Sequence, residues 1–172
     1  MFLFDKVRQE DVDKLPADLK ELFLQLKALL EKVLIGKLDT EKSSVEIKRF
    51  RKDLGFSINV QPKDNLVPSL KIDTYEQYSN IYVLDSHESD YERNPKKDKD
   101  FIKDTLTGVQ HYFNGVTIVL HYGKRGNLIK KIGYWGLNTE TDKHKRMGTI
   151  VYGFLPFRRV NTIKKITCRL LN

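Results

Sequence analysis

Val116–Tyr122 and Leu128–Trp135, both rich in β-branched, aromatic and other apolar residues, flank Gly123-Lys124-Arg125-Gly126-Asn127. Two such runs around a short Gly-rich turn form a hairpin signal. Gly148–Leu155 and Thr162–Leu171 supply two further strands, separated by Pro156 and the Arg158-Arg159 pair. Strands joined by short turns favour antiparallel pairing over a crossover architecture, because parallel neighbours need a long, usually helical, connection.

The first part of the chain follows another period. Leu19, Leu22, Phe23, Leu26, Leu29, Leu30 and Val33 recur at three- and four-residue steps, which predicts an amphipathic helix over Leu15–Gly36. Its polar side carries both signs, so the stripe reads as core rather than as a membrane-lying face. Glu41–Pro62 admits two readings up to Leu54: Ser43 with Glu46 forms a capping box, yet Val45 and Ile47 alternate. Phe56, Ile58 and Val60 alternate more clearly, as a strand. Ser69–Asp73 and Asn80–Asp85 predict two more strands, and Ser86–Lys99 reads as a polar surface loop. A second helix, capped by Asp98 or Asp100, runs to Asn114 with Phe101, Ile102, Leu106, Val109 and Phe113 buried. The expectation is an α+β fold: an N-terminal amphipathic helix plus a second helix packed on a mainly antiparallel sheet, with the C-terminal third all strands. One domain spans residues 1–172, about the usual length for one.

Composition removes whole classes. With 40% hydrophobic residues the 172-residue chain can bury a core, so wholesale disorder is excluded. Lys20, Glu21, Lys27, Glu31 and Lys32 interrupt the longest apolar stretch, so it does not span a bilayer. Cys168 is the single cysteine, which excludes an internal disulfide and a cysteine-based zinc site. Met1–Asp5 has no basic segment leading into a long apolar run, so the expected location is cytoplasmic.

Charge is the most informative feature. Residues 1–104 hold 19 Lys and Arg against 21 Asp and Glu, whereas residues 105–172 hold 12 against Glu140 and Asp142 alone, a net of +10. A folded basic half of this kind attracts polyanions by neutralising phosphates and releasing counterions. The backbone-contacting candidates are Lys124, Arg125, Lys130, Lys131, Lys143, Lys145, Arg146, Arg158 and Arg159. Trp135 or Tyr152 is the ring expected to stand exposed as a stacking platform for single-stranded RNA. Lys48, Arg49, Arg51 and Lys52 form a second basic cluster, tempered by Glu46 and Asp53.

One constellation on the basic strands has the ingredients of catalysis. A two-residue turn at Arg125-Gly126 sets His121 opposite Lys130 with Tyr134 further along that face; a three-residue loop sets it opposite Ile129 and near Lys131. A neighbouring ammonium favours the neutral imidazole near neutral pH, as a general base requires. His121 with Lys130 or Lys131, Tyr134 and a general acid at His144 would make a metal-independent ribonuclease. The blander reading is a strand histidine with no role. His111 is expected to face solvent, and His87 lies in the polar loop. No histidine pair has metal-ligand spacing on a helix, and no nucleotide-cradling glycine motif is present, so neither metal nor cofactor is expected.

Three functions fit: a polyanion-binding protein contacting RNA, or DNA, through the basic C-terminal sheet; a ribonuclease of the small basic toxin type; and a viral or phage assembly protein whose basic face meets nucleic acid or an anionic membrane. The last implies a protein partner or a homo-oligomer.

Overall fold

The computed structural model describes residues 3–34, 36–64, 67–83, 91–97, 99–136, 146–151 and 162–168. A short helix α1 (Gln9–Asp13) leads into α2 (Ala17–Leu34). Five strands follow, β1 (Ser44–Phe50), β2 (Asp53–Val60), β3 (Leu70–Tyr75), β4 (Tyr78–Val83) and β5 (Tyr91–Arg93). They pair in sequence order as an antiparallel meander. After α3 (Phe101–Asn114) come β6 (Val116–Tyr122), β7 (Leu128–Trp135), β8 (Arg146–Val151) and β9 (Thr162–Cys168), a second antiparallel sheet of order β8-β7-β6-β9. The expected α+β class is present, with two sheets in place of one.

The apolar stripe of α2 is core: Leu19, Leu22, Phe23, Leu26 and Leu30 are buried against Phe56, Ile58, Leu70, Ile72 and Ile81 of the first sheet. Val116 and Ile118 at the start of β6 belong to the same cluster, as do Phe101, Val109, Tyr112 and Phe113 of α3. Tyr112 also donates its hydroxyl to the Pro68 carbonyl at 2.6 Å, which satisfies a buried polar group. Three hydroxyls join α3 to the first sheet: Thr74 to Ser79 at 2.9 Å and Ser79 to Thr105 at 3.3 Å, all fully buried.

The ambiguous segment is β1. Val45 and Ile47 stand opposite Ile58 and Phe56, so two apolar residues of period two join an existing apolar face. Ser43 does not cap a helix; its Oγ accepts from the Gln61 backbone N–H at 2.9 Å. Two elements carry no clear sequence signal. β5 lies inside the expected polar loop and pairs Tyr91 with Ile81, and α1 is too short for a periodic stripe. At the head of α3, Asp100 occupies the cap position without a side-chain cap bond, and Asp98 is outside the described residues. Among the described residues, no helix is long and apolar enough to cross a membrane.

Candidate nucleic-acid interface

The β6–β7 hairpin closes with a hydrogen bond from the Gly123 N–H to the Asn127 carbonyl at 2.9 Å and from the Gly126 N–H to the Gly123 carbonyl at 3.0 Å. The loop is therefore the three-residue form, with Gly126 at φ +72° in the left-handed position this turn requires. On its own that loop would set His121 against Ile129. An irregularity between His121 and Tyr122 admits one extra residue on β7, so Tyr122 pairs with Leu128 while His121 pairs with Lys130. The loop is the longer of the two anticipated, and the pairing is the one expected of the shorter.

This register sorts the candidates onto two faces. Thr117, Val119 and His121 share one face with Tyr134, Ile132 and Lys130 of β7 and with Thr167, Lys165 and Ile163 of β9. Directly opposed residues in such a ladder hold their Cβ atoms about 5 Å apart, and diagonal ones about 7–8 Å. His121 thus stands beside Lys130 and diagonally from Lys165. Tyr134 does not join them: it pairs with Thr117, about 13 Å further along the strand. Between lie Val119 and Ile132, both buried. His121 itself is half-buried, and its Nε2 is shielded from solvent.

Lys131 lies on the reverse face, opposite Leu120 and, through it, beside Lys164. Trp135 is on that face too, half-buried against the core, with its ring 6.1 Å from that of His111. It is not the exposed stacking platform the sequence suggested: its partner Val116 is a core residue, and the ring follows it inward. His111 is solvent-exposed, as its position off the helix stripe predicted.

The remaining cations spread along the sheet. Lys124 and Arg125 are exposed at the hairpin tip, the end where His121 and Lys130 sit. Arg146 opens β8 at a register position opposite Tyr134, the other end. Lys143, His144, Lys145, Tyr152, Arg158 and Arg159 lie outside the described residues. Sequence reading passed over Lys164 and Lys165, which the structure exposes on β9; their adjacency in a strand that alternates faces was the available signal. The four strands hold five Lys or Arg and no Asp or Glu. Among the described residues no group of three His, Cys, Asp or Glu converges on a point.

The second basic cluster is the β1–β2 hairpin. Phe50 pairs with Asp53, so Arg51 and Lys52 form its tip. Lys48 is exposed and within 3.5 Å of Glu46, so part of its charge is offset. No protein-family model, curated protein sequence or solved structure matches the chain.

Proposed function

We propose that the protein binds the phosphate backbone of nucleic acid, RNA by preference, through its C-terminal sheet. One observation carries this reading: a four-stranded sheet with five cations and no carboxylate on any strand, with two more cations, Lys124 and Arg125, at the tip of its central hairpin. Lysines and arginines without intervening acids act as phosphate ligands through charge alone and carry no base specificity.

The test is the salt dependence of binding to an RNA strand and to a DNA duplex. Neutralising about five phosphates gives a log–log slope of about −3.5 on single strands and about −4.5 on duplex. A slope near zero, or no binding at low salt, would remove the proposal.

Metal-independent RNA cleavage is the second reading, favoured by the pairing of His121 with Lys130. A general base needs reach to the substrate hydroxyl, and the shielding of Nε2 sets this reading behind simple binding. Incubation of labelled RNA with protein and EDTA decides it: cleavage that His121→Ala abolishes while affinity persists would promote catalysis to the main function.

A further inference from the structure

We infer that the end of the first sheet carries a separate binding groove for an unstacked nucleobase with its flanking phosphates, which makes single-stranded nucleic acid the preferred form of the polyanion. The groove has a volume of about 400 Å³ and is lined by Phe50, Arg51, Lys52, Asp53, Gln77 and Tyr78. Two neighbouring hairpin turns build it, β1–β2 and β3–β4, because β2 and β3 pair all the way to Gly55 and Tyr75.

Its aromatic wall is preformed. The Phe50 ring lies 5.6 Å from Tyr75 and 6.1 Å from Tyr78, and the two tyrosines lie 5.0 Å apart. Tyr75 is buried and Tyr78 half-buried, yet Phe50 at the edge remains 48% exposed. A large ring held by two others and left open to water is a stacking surface whose ordering cost is met on folding. The Arg51 guanidinium stands 5.5 Å over the same ring, so a cation and a π-face are offered together.

Arg51 also has a φ of +58°, the only positive φ outside glycine among the described residues. That is the conformation a two-residue hairpin loop requires at its first position, so the turn itself fixes where the Arg51 side chain starts, beside the Phe50 ring. Arg51 and Lys52 supply charge for the phosphates on either side of a base. Asp53 repels a bare phosphate but accepts from an exocyclic amine, and Gln77 offers both a donor and an acceptor to a base edge. The concave form separates this site from a membrane-inserting tip, which would present its aromatic residue as a convex wedge.

The inference rests on the backbone-binding proposal only for the class of partner, and the experiment separates the two. A fluorescein-labelled oligothymidylate and an abasic strand of equal length carry the same phosphates, so their affinity ratio reads base stacking alone. The parent protein should prefer oligothymidylate by about tenfold, within the range for a stacked base. Phe50→Ala should remove that preference without weakening the abasic strand, and Phe50→Tyr should restore it. Arg51→Gly relieves the strained φ and should weaken both strands while leaving thermal stability no lower. If the basic sheet is not the phosphate site, Lys130→Gln with Lys165→Gln changes neither strand and the Phe50-dependent preference persists. Equal affinity of the parent for the two strands overturns the inference, as does an equal loss on both for Phe50→Ala. Phe50-dependent binding to phosphatidylserine vesicles without base preference would assign the groove to a membrane and overturn it too.

Discussion

The ring of Tyr75 lies across Gly55 on the neighbouring strand, and the space that a glycine leaves is what lets it lie flat. A Cβ at residue 55 would meet the Thr74 carbonyl oxygen and come within 2.6 Å of the Tyr75 ring. Both neighbours are fixed, one as backbone and one as a buried ring. Gly55→Ala should therefore cost about 1–3 kcal/mol, the usual penalty of overpacking. Gly126→Ala has open space around it but holds a φ of +72°, so it should cost about 1–2 kcal/mol through the backbone alone. Urea titration of both variants checks the pair. An unchanged midpoint for Gly55→Ala would show that both the strand backbone at Thr74 and the Tyr75 ring give way.

Tyr75 also reports on alkaline stability. Burial, then the nearby Tyr78 phenol and Asp73 carboxylate, pushes its hydroxyl up to about 12. The folded state favours the neutral phenol, so this contribution is intact below the unfolded value of about 10 and is lost as pH rises from there towards 12. Titration followed by phenolate absorbance should show a component near pH 12 that Tyr75→Phe removes. A Tyr75→Phe profile superimposable on the parent would contradict the assignment.

The hydroxyl chain between α3 and the first sheet has a centre. Ser79 is 2.9 Å from Thr74 and 3.3 Å from Thr105, so Ser79→Ala takes a partner from both. Its expected cost is about 1–3 kcal/mol, the range for stranding a buried polar group. Thr105→Val keeps the shape and forfeits only the longer contact, so it should cost less than Ser79→Ala. Thermal unfolding of the two variants ranks them, and the reverse order would show that the Thr105 hydroxyl dominates.

Charge on the second sheet should act by face. Lys130 and Lys165 flank His121, whereas Lys131 and Lys164 flank Leu120 on the reverse side. Replacing Lys130 and Lys165 by Gln should flatten the duplex salt slope by about 1.8, or about 0.9 per lost phosphate contact. Lys131→Gln with Lys164→Gln should leave it near the parent value. Equal changes for both pairs would mean that the nucleic acid contacts an edge or the tip rather than one face.

Most of the architecture was legible from period alone. The α2 stripe and the ends of β6 and β7 follow directly from where apolar residues recur and where glycines interrupt them. β1 was not legible, because Ser43 and Glu46 mimic a helix start, and only the apolar face of β2 decides in favour of a strand. The candidate site was legible as a composition and not as a geometry. The carboxylate-free run predicts a cationic sheet, but whether Tyr134 reaches His121 or Trp135 faces water depends on register and on what α3 covers. The groove beside Phe50 was legible only as the basic cluster around Arg51 and Lys52, since its walls come from two turns that only the meander brings together.

The β6–β7 hairpin keeps its cations in place by register. Lys130 and Lys131 are adjacent, so the side each presents depends on which of them pairs with His121. Two irregularities, the three-residue loop and the extra residue at Ile129, cancel to preserve that pairing. Were the irregularity at Ile129 to close into regular pairing at the same chain length, Ile129 would stand opposite His121 and the two lysines would exchange faces, without altering a single charge in the protein. A hairpin one residue shorter through loss of that extra residue would keep Lys130 opposite His121, so the side of the sheet that carries the cations is set by how the strands pair and not by how many residues they contain.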